Sequence, residues 1–197
     1  MSDRRLIATL PLLALVAACS SSEADHRWRA EIRWTSFGIP HITADDVPSA
    51  AYAQGYAFAQ DAGCILADQI VKVRSERAAF FGPGDADANL DSDFTLLHLG
   101  IYQRAQGAFP EQPEDIQELV LSYASGYNAY LEAHGEDMPC GGEPWLRAID
   151  EIDLFAHYIE LGTLASARAL AGYIATAQPP GAGLVRDDDP MPLSRLR

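Results

Sequence analysis

Positive charge is scarce in this sequence. Of 197 residues, 14 are lysine or arginine against 28 aspartate or glutamate, and the formal net charge is −14. Lys72 is the sole lysine. Nucleic acid and anionic membrane surfaces recruit basic faces, so this balance argues against either as a partner. Metal-ligand spacing is missing too: His26, His41, His98, His134 and His157 include no pair three or four residues apart. No Gly-x-Ser-x-Gly elbow occurs, and no serine stands three residues before Lys72. Taken alone, the chain offers no paired nucleophile and base. The apolar run over residues 6–18 falls short of the about 20 residues of a spanning helix and is broken by Pro11. Internal repeats are absent. What remains is a polypeptide with 48% hydrophobic residues, long enough for one domain with a real core.

That apolar run follows Arg4 and Arg5 and ends in Val16-Ala17-Ala18-Cys19, which resembles a bacterial lipobox. Residues 1–18 are therefore expected to be a lipoprotein signal peptide, with lipid on Cys19 and a Ser-rich polar tether over 19–27. The alternative is an ordinary secretory signal cut near Ala18, with Cys19 unmodified. Ser20 is the kind of residue that follows the lipidated cysteine in lipoproteins passed to the outer membrane. The expected location is the periplasm, with the outer membrane reached through the lipid alone. Cys64 and Cys140 would then share an oxidising compartment, where an even pair suggests a disulfide; two buried free thiols are the other reading.

Trp28, Ala30, Ile32 and Trp34 alternate with Arg29, Glu31, Arg33 and Thr35, the period of a strand with one buried face. Gly38 and Pro40 then make a turn, and Asp45 and Asp46 offer caps to a helix that tolerates Pro48 in its first turn. That helix is rich in alanine and glycine, so its backbone can approach a neighbour closely. Leu66, Ile70 and Val73 continue the helical spacing, and Gly82-Pro83-Gly84 is expected to stop it. Asp85, Asp87, Asn89, Asp91 and Asp93 imitate the opening of a calcium loop. Leu90 and Leu96, however, stand where glycine and a bidentate glutamate belong, so a solvated loop is expected, followed by a helix over 95–106. Glu114 and Asp115 open another helix, with Ile116, Leu119, Tyr123, Tyr127 and Tyr130 as its apolar stripe. A loop over 135–145 holds Cys140. The last helix is expected over 152–177, ended by Pro179-Pro180-Gly181.

Two segments carry a resemblance. Gly38-Ile39-Pro40-His41-Ile42, followed by Ala53-Gln54-Gly55-Tyr56-Ala57-Phe58-Ala59-Gln60-Asp61, is similar to the start of the α subunit of penicillin-amidase-family acylases. The wording lies nearest the aculeacin and acyl-homoserine-lactone acylase branch. Ser125-Gly126-Tyr127-Asn128-Ala129-Tyr130-Leu131 resembles a further run of that family. The resemblance implies an α+β N-terminal-nucleophile hydrolase, of which this chain is the mostly α-helical part. Its one N-terminal strand would join a β-subunit sheet. Residues 28–181 would form the α-subunit-like domain and 182–197 a spacer-like tail.

The implied reaction is hydrolysis of an amide between an acyl chain and an amine-bearing core, such as an acyl-homoserine lactone or a β-lactam antibiotic. The nucleophile would be the serine that opens the β subunit, with its own α-amine as base. This chain then holds no catalytic residue and is expected to be inactive alone. By the run Gly162-Thr163-Leu164-Ala165, Leu161 and Leu164 would contact the acyl chain with Arg168 nearby; packing against β is the other reading. Penicillin G acylases use an α-subunit glutamate for calcium, but no carboxylate occurs between Gly162 and Gly181, so no metal or cofactor is expected. The competing interpretation is a non-catalytic exported lipoprotein, a relict of such a gene or a binding module derived from it.

Overall fold

The chain reverses between Thr35 and Ile39. Gly38 takes a φ of +76° there, the Thr35 N–H donates to the Ile39 carbonyl, and the Ile39 N–H donates to Thr35 Oγ1. A computed structural model describes residues 27–178. The expectations for residues 1–26, including Cys19, and for the 179–181 stop and the 182–197 tail lie outside the described residues.

The reversal joins β1 (Ala30–Trp34) to β2 (Pro40–Ala44) as an antiparallel pair, with Ile32 opposite Ile42. The single expected strand is thus a two-stranded sheet. Pro40 obscured the second strand, although proline is tolerated at a strand's first residue, where no ladder N–H is needed. Asp46 then caps α1 (Val47–Val73), its Oδ1 accepting from the Ser49 N–H at 2.7 Å.

Helix α1 lies against α5 (Glu114–His134) with their backbones in contact. A Cβ on Gly55 would stand 2.1 Å from the Tyr123 carbonyl oxygen, and one on Gly126 would stand 1.8 Å from that of Tyr52. Of the stripe expected on α5, Tyr127 is fully buried and donates its hydroxyl to the Gly63 carbonyl (3.1 Å), one residue past a kink at Ala62. Ile116, from the same stripe, is exposed; Val120 and Ala124 are buried instead. Close by, Cys64 and Cys140 form a disulfide that spans 76 residues, and closing a loop of that length contributes about 4–5 kcal/mol in the chain-entropy treatment. Asn128 bonds both backbone groups of Ile149 (2.7 and 2.9 Å), which aims the chain into α6 (Glu151–Gly162). A capping box of Asp150 and Asp153 starts that helix. Asp153, wholly buried, receives both Nε and NH2 of Arg74 and the Tyr102 hydroxyl.

Several boundaries differ from expectation. Helix α1 ends at Val73, because Ser75 turns left-handed (φ +58°) before a short α2 (Arg77–Phe81). The acidic stretch is not a loop throughout: α3 (Ala88–Leu99) starts inside it, since buried Asp93 accepts from the Arg77 and Ala78 N–H groups (3.1 and 2.8 Å) and caps α2. Gly100, at φ +62°, separates α3 from α4 (Ile101–Ala108), where one helix was expected. The last helix stops at Gly162; a 3-10 turn (Ala167–Leu170) and α7 (Ala171–Ala175) follow. Thr163 ends it by bonding the Glu160 carbonyl through both its N–H (2.9 Å) and Oγ1 (2.7 Å).

The helix crossing generates a test. Alanine normally gains about 1 kcal/mol over glycine within a helix. Gly55→Ala and Gly126→Ala are nevertheless expected to lose about 3 kcal/mol or more, because the new methyl group meets backbone rather than a yielding side chain. Gly107→Ala, on α4 with nothing within 4 Å of the added Cβ, is expected to be neutral or stabilising. Denaturant titration of the three variants checks this, and equal stability of Gly126→Ala and wild type would contradict the crossing.

Candidate functional site

Where α6 ends, the chain bends back over α3 and borders an open cleft of about 370 Å³. Gln69 and Lys72 reach it from α1, Asp91, Ser92 and Thr95 from α3, Glu160 from α6, and Arg168 and Gly172 from the returning segment. Glu160 is 1% exposed. Its Oε1 accepts from Lys72 Nζ at 2.6 Å and lies 3.4 Å from Arg168 NH1, while its Oε2 has no hydrogen-bond partner among the described residues. One turn earlier on α6, burial holds the His157 imidazole below its ordinary pKa, against the opposing pull of Glu160 and with a smaller push from Lys72. Beside the other ion pair on α6, burial followed by the Asp153 carboxylate pushes the Tyr102 phenol up to about 12.

The three residues expected to line an acyl pocket are separated by this bend. Leu161 is 41% and Leu164 51% exposed, joined by the Leu164 N–H to Leu161 carbonyl bond (3.2 Å) at the end of α6. Neither lines the cleft; Arg168 does, half-exposed and turned toward Glu160. Tyr158, Leu170 and Tyr173 are likewise exposed. Glu160 went unnoticed in the sequence, and Lys72 was weighed only as half of a serine–lysine pair. The available signal was a lone lysine set among the apolar spacing of Ile70 and Val73.

His41 is exposed on β2 opposite Arg33. The Ser122 and Ser125 hydroxyls donate to carbonyls of their own helix. Among the described residues no group of three histidine, cysteine, aspartate or glutamate side chains is placed to hold a metal ion. Asp93 is committed to its cap, Asp91 sits at the cleft, and Asp85 and Asp87 lie in a 3-10 turn.

Comparison with known proteins bears on what this arrangement belongs to. The profile of the family described as penicillin amidase matches residues 29–177. This chain belongs to the penicillin amidase family. Among its penicillin amidase relatives, the acyl-homoserine lactone acylase PvdQ of Pseudomonas syringae pv. tomato is 40% identical over 152 residues, 74% of this chain and 19% of that protein. Aculeacin-A acylase of Actinoplanes utahensis is 32% identical over 180 residues, 86% of this chain and 23% of that protein. The chain thus spans about a fifth of the length of these curated relatives. A chain of the thermostable penicillin G acylase from Alcaligenes faecalis superposes with a TM-score of 0.59 at 23% identity, covering 83% of this chain and 98% of that one. The fold is therefore that of a penicillin amidase chain, helical with a small two-stranded sheet.

Family membership explains which runs stood out in the sequence. Gly55 and Gly126, the two glycines of the helix crossing, each lie in a run that resembled penicillin amidases, as do Tyr127 and Asn128. These motif residues build the frame of the chain.

Proposed function

We propose that this chain is the α subunit, or N-terminal part, of a penicillin-amidase-type acylase. The enzyme would hydrolyse the amide between an acyl chain and an amine-bearing core of the acyl-homoserine lactone or β-lactam type. The observation that carries the reading is the family match over residues 29–177 together with relatives that are themselves acylases. A serine at the start of a β chain supplies the nucleophile and its α-amine takes the proton, since a serine hydroxyl is a poor nucleophile without a positioned base. Leu161 and Leu164 contribute an apolar wall for the acyl chain, with Arg168 beside it. Their exposure supports this role, as does that of Phe37 (90%), Ile39 and Val47 around the hairpin, because apolar side chains left open in one chain suit burial by another.

Export is part of the same proposal. The Cys64–Cys140 disulfide suits an oxidising compartment, and no helix among the described residues is long and apolar enough to cross a membrane. The chain is held at the outer membrane by lipid on Cys19. Labelled fatty acid is expected on the wild type and absent from Cys19→Ser; equal labelling would refute the anchor.

Activity decides the main reading. The purified chain alone is expected to hydrolyse neither acyl-homoserine lactones nor penicillin-type amides. Expressed as one precursor with a matching β region, it is expected to release the free amine, and replacing the β-chain serine by alanine should abolish this. Turnover by the lone polypeptide, absent from a mock preparation, would overturn the assignment.

A further inference from the structure

The segment after α6 is held in an unusual way. None of the residues of its 3-10 turn or of α7 is buried, so apolar burial contributes little to its position. Polar contacts hold it instead. Thr95 Oγ1 donates to the Ala171 carbonyl at 3.0 Å, Thr163 is tied to the Glu160 carbonyl, and Arg168 faces the Glu160 carboxylate. Glu160 therefore acts at both ends of the bend, its backbone ending α6 and its side chain receiving the arm that comes back. Lys72 anchors that carboxylate to α1 at 2.6 Å, with the Lys72 side chain itself nearly buried.

We propose that Glu160 is a positioning residue. Clasped between Lys72 and Arg168, it sets the path of residues 163–176 and thereby the stance of Leu164. The geometry makes this a one-point control. A carboxylate so deeply buried cannot follow its partners into solvent, so a segment tied to it has one favoured place. If the charge is lost, Lys72 is left nearly buried without its counter-ion, and Arg168 has nothing to return to. That this placement tunes acyl-chain selection rests on the proposed acylase function; the clasp itself does not.

Two measurements separate these claims. In the full 197-residue chain, amide exchange of residues 166–175 is compared with that of α5. Glu160→Gln is expected to speed exchange in that segment by about fivefold, the change expected when the Arg168 ion pair is lost and Lys72 is left without its counter-ion, with α5 unaffected. Arg168→Met keeps the Lys72–Glu160 pair and is expected to speed it by about threefold, so the clasp remains testable if Glu160→Gln folds poorly. Unchanged exchange in Arg168→Met, or in a folded Glu160→Gln, overturns the clasp. In the precursor with its β region, Glu160→Gln is expected to shift the ratio of kcat/KM between short and long acyl chains through KM, and Glu160→Asp to restore part of it. A loosened segment with an unchanged ratio overturns the positioning of the wall while leaving the acylase reading intact. A wild-type precursor without any hydrolysis overturns the acylase reading, and with it the link to selection, while the exchange result still decides the clasp.

Discussion

Helices α1 and α5 cross so closely that the carbonyl of each occupies the space where the other lacks a side chain. Gly55 faces the Tyr123 oxygen and Gly126 faces that of Tyr52, so contact is made on both sides of one crossing. Packing this tight leaves little freedom of register, because sliding either helix would drive a side chain into backbone. The aromatic rings flanking the crossing are held accordingly: Tyr56 meets Tyr130 edge-on at 5.2 Å, and Phe58 lies 6.4 Å from Tyr123. Tyr127 and Asn128 follow Gly126 directly. One fastens the chain past the α1 kink, and the other fastens the entry to α6.

From there the constraint passes to charge. The end of α1 presents Lys72 and Arg74, and α6 presents Asp153 and Glu160, seven residues apart and hence on one face. Both carboxylates are buried. Such pairs add little net stability over an apolar contact of similar volume, yet removing one partner costs about 3–5 kcal/mol because the other is stranded. Their effect is therefore on register: α6 can dock on α1 in one alignment only. The bend after Gly162 inherits that alignment through Glu160. A frame of glycine contacts thus leads to the buried Glu160 carboxylate, which faces Lys72 and Arg168.

Much of this was legible in the residues. Alanine and glycine enrichment around Gly55 announced a close approach, Asp46 announced its cap, and an even pair of cysteines announced the bridge. The errors share a cause: local patterns were read without the partners that redirect them. Gly38 and Pro40 were read only as a turn because pairing of the residues that follow with β1 was not considered. Ser75 takes a positive φ that no residue-type rule assigns to serine. The acidic run looked solvated because nothing nearby in sequence shows that Asp93 turns inward to cap α2. The last helix looked continuous because its apolar spacing runs past Thr163, while the hydroxyl that stops it bonds backward to Glu160. At the site, Leu161, Leu164 and Arg168 were identified by analogy; Glu160 required the fold, since its partner Lys72 lies 88 positions away.

The proposed acylase function requires a β chain to join this one and cover exposed apolar side chains such as Leu161 and Leu164. Native mass spectrometry after co-expression with a matching β chain tests that most directly. The predicted result is a single species with the summed mass of one copy of each chain, surviving dilution to nanomolar concentration. Two well-folded chains that elute and fly separately at micromolar concentration would contradict it.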